Sequence, residues 1–385
     1  MINKICQICG GCPFRELGEL EYRQRKQKDF EQTIGHIGGA QPIIEDTIYI
    51  GDGNRRRAEM DFKQVKGKLC LGFNESKTHN LVDMENCPML LPEINALLPE
   101  IKNFLQEFCS VEQTVSPIKK KKQSKSQEPI RAGSIQMLYA DNGLDILLKL
   151  NSEPTLEHRL LVGEFINKIP AILRLSWIIG KGTAETVVEK VSPELYIAGY
   201  TVPIPSGVFL QASKASETAM INKVMEHIGE TSGKIADLFC GLGTFTYPLA
   251  KNKKNEIISC DSSSVSLQGL RKALNSNQIQ NVEIVERNLF KEPMDKEDLR
   301  GVKALVIDPP RAGAHEQCRA IAAIPRTTRP EKIVFVSCNP KTFVYDATIL
   351  IESSYELKKV VQVDQFVYSP HQELIALFEI NHENN

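Results

Sequence analysis

The chain has 385 residues, 42% apolar and 25% charged with a formal net charge of -1, the composition of a soluble globular protein too long for one ordinary core. No apolar run approaches the roughly 20 residues of a membrane span, and "MINKICQICGG" lacks the apolar core of a secretory signal, so a cytoplasmic protein without membrane association is expected. Near-neutral charge gives no general attraction to nucleic acid, and any such site must be a local basic patch.

Ten cysteines are too sparse for a secreted disulfide scaffold, and three of them, Cys6, Cys9 and Cys12, crowd the start of the chain. In a reducing compartment such a cluster reads as metal-binding or catalytic. Helical composition follows from Leu17 to about Ile34, with a basic middle at Arg23, Arg25 and Lys26. From about Thr47 to Phe73 the pattern becomes short strands that carry Arg55, Arg56 and Arg57 and turn at Lys66-Gly67. Cys87 precedes Pro88, and a second helical stretch covers roughly Leu91 to Phe108. The lysine-rich run 119–129 reads as a solvated loop, with nucleic-acid contact the alternative. A hairpin is expected around Asn142-Gly143.

After about residue 206 apolar strands alternate with helices: "IADLFCGLGTF", "EIISCD", "VEIVER", "KALVIDPP", "KIVFVSC" and "ELIALFEI". That alternation predicts an open, largely parallel α/β sheet, in which ligands collect at the carboxyl ends of the strands. Gly241 and Gly243 end the first of these strands, and Asp261 ends the next about twenty residues on, where a carboxylate commonly takes ribose hydroxyls. No G-K-[ST] follows, which excludes a P-loop, and Thr246 interrupts a full G-x-G-x-x-G. A nucleoside cofactor without pyrophosphate fits better than a dinucleotide, and S-adenosylmethionine leads.

"VIDPPRAG" places Asp308 at a strand end, with Arg311 where amino-group methyltransferases of bases commonly have an aromatic residue. "VFVSCNPKTF" then sets Cys338 at the end of another strand, where it reads as a core residue, a metal ligand or a nucleophile. Carbon 5 of a pyrimidine becomes nucleophilic only after a thiolate adds to C6, and a base must later remove the C5 proton. Cys338 supplies such a thiolate, Glu373 is the candidate base, and His371 is the alternative.

Through "DLFCGLGTFTYPLA", "DPPRAG", "SCNPKTF" and "HQELIALFE", in order and at similar separations, with "GVFLQAS" ahead of them, the sequence resembles the RNA uracil-5 methyltransferase family. The resemblance implies an α/β architecture: a Rossmann-like S-adenosylmethionine-dependent methyltransferase domain at 207–385, and an α+β region at 1–206 that carries an iron-sulfur cluster and recognises RNA. It implies Cys338 as nucleophile, Glu373 as base, and Gln211, Phe239, Thr244, Asp261, Asn288 and Asp308 at the cofactor. Ser213 stands where many relatives carry Asn, and Thr244 and Asp261 replace residues that are often Asn and Glu.

The C-x2-C-x2-C triplet with remote Cys87-Pro88 is closer to an iron-sulfur pattern than to the paired cysteines of zinc sites. Several family members similarly hold a 4Fe-4S cluster there, which makes Cys6, Cys9, Cys12 and Cys87 the expected ligands. A flipped uridine needs phosphate contacts around it, for which Arg55, Arg56, Arg57 and the basic helix are candidates. A chain that starts at the cluster, without a leading β-barrel, resembles the branch acting on ribosomal RNA. Large-subunit rRNA is therefore the expected substrate and tRNA the second, for a monomer; a non-catalytic iron-sulfur RNA-binding protein is the competing class.

Overall fold

Lys66 and Gly67 adopt φ of 52° and 77°, and these two left-handed residues fold strand Arg57–Val65 back against Lys68–Asn74. The computed structural model describes residues 6, 8–111 and 129–381; the lysine run at 119–128 lies outside them. It divides into two units, one formed by the described residues up to Pro13 with Asp52–Leu195, the other by Phe14–Gly51 with the described residues from Tyr196 onward. The sequence boundary at 206 thus falls about a hairpin too late, and residues 14–51 go with the second unit rather than the first.

In the first unit seven strands run in the order Leu81–Asp83, Lys68–Asn74, Arg57–Val65, Ala132–Ala140, Gly143–Leu150, Ile172–Ile179 and Glu185–Glu189. All neighbours are antiparallel except Gly143–Leu150 with Ile172–Ile179, the one parallel pair, whose crossover is the helix Leu156–Lys168. The helix Pro92–Ser110 begins with proline in its first turn and buries Ile94, Leu98, Ile101, Leu105 and Phe108, a stripe at spacings of three and four. Phe104 on that face stacks on Phe165 of the other helix at 4.2 Å. Ala140 pairs with Gly143, so the hairpin tip is Asp141-Asn142, one residue earlier than expected. The Asn142 side chain explains the shift: it donates to Ser192 O at 2.9 Å and accepts from the Glu194 N–H at 3.0 Å.

The second unit is built on a nine-stranded sheet in the order Ile43–Ile44, Tyr355–Asp364, Glu373–Ile380, Lys332–Ser337, Val302–Ile307, Lys234–Leu238, Glu256–Asp261 and Val282–Glu286, with Ile48–Tyr49 also on Tyr355–Asp364. Only Glu373–Ile380 runs antiparallel to its neighbours. The chain travels outward from Lys234–Leu238 through the next two strands and then returns to Val302–Ile307 on the other side. That reversal opens the cleft where ligands of doubly wound sheets bind. The helix Glu19–Gly35 belongs to this unit: its Phe30 and Ile34, with Ile37 just past its end, share a core with Phe335, Phe343 and Phe378. Among the described residues no helix is long and apolar enough to cross a membrane.

Candidate active site

Strand pairing alone brings the two proposed reacting groups together. Ser337 lies opposite Leu374 at the last paired position of an antiparallel ladder; Cys338 follows the one and Glu373 precedes the other, near enough for the Glu373 charge to act on the Cys338 thiol. Cys338 is half-buried; burial pushes its thiol up to about 11, helped by Glu373 and Asp308 and opposed by Arg311. Glu373 is 3% exposed, and burial pushes its carboxyl up to about 8, with Asp308 adding to the rise and Gln365 opposing it.

A buried amide holds that carboxyl. Gln365 Nε2 donates to Glu373 Oε2 at 2.6 Å and to Gln211 Oε1 at 3.3 Å, while Gln365 Oε1 accepts from Ser216 Oγ at 3.0 Å. Neither Gln365 nor Ser216 was anticipated from sequence. Ser213, one of the departures from the family pattern, caps the helix Lys214–Ile228 by accepting from the Ser216 N–H, a role that Asn fills equally well.

Three of the six cofactor candidates stand at the carboxyl edge of three adjacent strands. Leu238 pairs with Cys260 on one side and Ile307 on the other, so Phe239, Asp261 and Asp308 stand level one residue further along. Phe239 has a φ of 61°, uncommon for a residue with a side chain and a mark of an over-determined site. Gly241, at φ 55°, has open space where a Cβ would stand; Gly243, at φ 97°, is packed beneath Leu270 and Tyr247. One glycine thus keeps the rim accessible and the other seats the turn. Thr244 is half-buried in that turn.

Asp261 accepts from the backbone N–H groups of Gly241 at 2.9 Å and Ser263 at 2.7 Å, and a carboxylate with two such bonds retains lone pairs for two hydroxyls. Asn288 accepts from the Phe290 N–H at 3.0 Å, and the Phe290 ring lies 5.5 Å from that of Phe239. Burial raises Asp308 to about 7, with Asp261 contributing. Asp237, wholly buried in the neighbouring strand, is also raised to about 7 by burial, while its contact with Thr246 Oγ1 at 2.6 Å opposes the rise.

Two further residues shape the Asp308 loop. Arg311 Nη2 lies 2.9 Å from His371 Nδ1, and Asn339 Nδ2 donates to Arg311 O at 2.8 Å. Buried Asp346 accepts from the Ala314 N–H at 2.8 Å and contacts His315 Nδ1, tying this loop to the helix Pro340–Glu352. The sequence carries no signal for that clamp, because Asp346 looks like any polar residue on a helix.

Cys6, Cys9, Cys12 and Cys87 all belong to the first unit, and the described residues, which include all ten cysteines, contain no disulfide. Burial raises the Cys87 thiol; backbone N–H groups of Met89 and Leu90 oppose that, and nearby Cys9 and Cys6 add to it. The basic candidates divide sharply. Lys26 is 1% exposed and ion-paired with Asp364, and Arg56 is 2% exposed, so neither faces solvent to meet a phosphate. Arg23 and Arg25 are exposed but paired along their helix with Glu19 and Asp29. Arg55 and Arg57 are half-buried.

The fold and the glycine-and-acid edge define a class, the S-adenosylmethionine-dependent methyltransferases. A family model described as tRNA (uracil-5-)-methyltransferase matches residues 185–380. An uncharacterized RNA methyltransferase of Agrobacterium fabrum is 32% identical over 96% of this chain and 82% of its own length. The 23S rRNA (uracil(1939)-C(5))-methyltransferase of Vibrio campbellii is 28% identical over 96% of this chain and 80% of its own. Among solved structures, the Pyrococcus abyssi tRNA (uracil-54, C5)-methyltransferase in complex with S-adenosyl-L-homocysteine shares the fold, at a TM-score of 0.72 and 21% identity over 96% of this chain and 86% of that one. The chain belongs to the RNA uracil-5 methyltransferase family and is an S-adenosylmethionine-dependent enzyme.

Proposed function

We propose that the enzyme methylates C5 of one uridine class in 23S rRNA by way of a transient bond from Cys338 to C6. The observation that carries the mechanism is the nearness of Cys338 and Glu373 at the end of one strand pair, where each is adjacent to the last paired residue. Support for the RNA comes from the 28% identity to the Vibrio campbellii 23S rRNA enzyme along almost the entire chain. The tRNA reading rests on the Pyrococcus abyssi tRNA enzyme, whose 21% identity is lower.

Gln211, Phe239, Thr244, Asp261, Asn288 and Asp308 would hold S-adenosylmethionine, and the donor set fits: a carboxylate with lone pairs to spare and an open glycine rim at the strand ends. Bound there, the cofactor supplies an electrophilic methyl group to C5. Cys338, once ionised, adds to C6, and the C5=C6 electron pair moves toward C5 and O4. Once the C5 pair has formed the bond to the methyl group, Glu373 takes the C5 proton; the electrons of that C–H bond restore the double bond and expel the thiolate. His371 is the poorer base, because a guanidinium only donates and Arg311 therefore occupies a ring lone pair. Proton removal by Glu373 requires its ionised form, which the Gln365 hydrogen bond favours.

Cys6, Cys9, Cys12 and Cys87 would hold a 4Fe-4S cluster, and backbone N–H groups directed at the Cys87 sulfur fit a thiolate ligand. Such a cluster supplies a covalent staple between the start of the chain and the Cys87 loop. The unit that carries these cysteines is assigned to RNA recognition, with Arg55 and Arg57 as its remaining phosphate candidates.

Mapping of 5-methyluridine in rRNA and tRNA from cells lacking the gene, before and after restoring wild type or Cys338→Ala, tests the assignment. A mark lost from 23S rRNA and restored by wild type alone is expected. Loss confined to tRNA selects the second substrate, and no lost mark in either RNA rejects both.

A further inference from the structure

Between strands Tyr355–Asp364 and Glu373–Ile380 the chain makes a loop that delivers His371 and Glu373 to the site. This loop is gripped by a helix more than three hundred residues earlier. Lys26 Nζ donates to His371 O at 2.5 Å and Ser369 O at 3.2 Å and lies 3.0 Å from Asp364 Oδ1. Tyr22 Oη donates to Asp364 Oδ2 at 2.5 Å and accepts from the Tyr368 N–H at 3.0 Å, with the two tyrosine rings 4.8 Å apart. Phe14 N–H donates to Tyr368 O at 2.9 Å, the Arg15 guanidinium lies 4.4 Å above the Tyr368 ring, and Thr33 Oγ1 reaches Gln372 Oε1 at 3.2 Å.

A buried ammonium is an expensive way to gain stability, since desolvation of the two charges offsets much of their attraction. What Lys26 does that an apolar residue of its size cannot is satisfy two main-chain carbonyls, one of them just two residues before Glu373. We propose that the helix Glu19–Gly35 is a strap for the base loop, with Lys26 and Tyr22 as positioning residues that set Glu373 against the Cys338-bound pyrimidine. This rests on the reading of Glu373 as the base. It explains why residues 14–51 fold with the catalytic unit and why a basic helix turns its central lysine inward.

Two substrates separate positioning from general damage. With 5-fluorouridine RNA there is no C5 proton to remove, so adduct formation on Cys338 proceeds without the base; ordinary uridine RNA requires it. Lys26→Met is expected to lower kcat on ordinary RNA by about a hundredfold, the scale of a misplaced reacting group, with KM unchanged. A Cys338-linked adduct with ordinary RNA should accumulate, and trapping of fluorouridine RNA should keep its wild-type rate. Because Lys26→Met leaves Asp364 buried and unpaired, Lys26→Met/Asp364→Asn removes that charge, and Tyr22→Phe perturbs the same loop without one. Both should turn over slowly while trapping normally. Wild-type turnover in the double variant, or equal losses of trapping and turnover, would overturn the strap. Failure of the wild type itself to trap fluorouridine RNA would instead overturn the Cys338 reading.

Discussion

Glu373→Gln is expected to make the RNA-free protein more stable while destroying turnover. The wild-type carboxyl is raised from an ordinary 4.5 to about 8 chiefly by burial, so the stability it contributes is fully present below about 4.5 and lost as pH rises through about 8. At about 1.4 kcal/mol for each pH step across that window, the loss comes to roughly 3–5 kcal/mol by about pH 9. A neutral amide incurs none of it, and its oxygen still accepts from Gln365 Nε2, which now donates to Glu373 Oε2 at 2.6 Å. Removing the charge also relieves Cys338, whose thiol is pushed up chiefly by burial and in part by Glu373.

The assay is urea unfolding of wild type and variant near pH 5 and near pH 9. The lone tryptophan, Trp177, lies in the first unit, so its fluorescence is blind to the second. Labelling of buried Cys240 and Cys318, or amide exchange along Glu373–Ile380, reads the catalytic unit instead. Midpoints that separate by the same amount at both pH values would refute the reasoning.

Gln365→Leu should slow turnover and move the rising limb of the pH–kcat profile to higher pH, because it removes the hydrogen bond that holds Glu373 down; a limb that stays in place refutes this. Cys87→Ser, purified without oxygen, should lose most of its iron and acid-labile sulfide, measured chemically and by visible absorbance, and full retention would remove Cys87 from the ligand set. Arg174 Nη2 and Asp145 Oδ2 form a buried pair at 2.7 Å in the first unit, so Arg174→Met should destabilise that unit by about 3–5 kcal/mol, and Trp177 fluorescence reports it.

The candidate edge could be read from sequence because its signals are local: a glycine turn, an Asp-Pro-Pro and a Cys-Asn-Pro, each at the end of an apolar strand. The support behind that edge could not. Gln365 meets Glu373 only because two strands fold into a hairpin, and Asp346 meets Ala314 only because a helix packs over a loop. The basic helix misled for a physical reason, since a lysine facing solvent and one capping buried carbonyls have identical neighbours in sequence. Lys26 and Arg56 were therefore expected to meet RNA, and both are buried. The apolar stripe of Glu19–Gly35 likewise does not by itself say which core it joins.

The antiparallel register that sets Ser337 opposite Leu374 leaves this enzyme little freedom to evolve at its centre. Inserting or deleting a single residue in either strand would slide the ladder by one and rotate sulfur or carboxyl to the opposite face of the sheet. Variation in length is therefore confined to the connecting loops, while the main chain itself holds these two strands in one register.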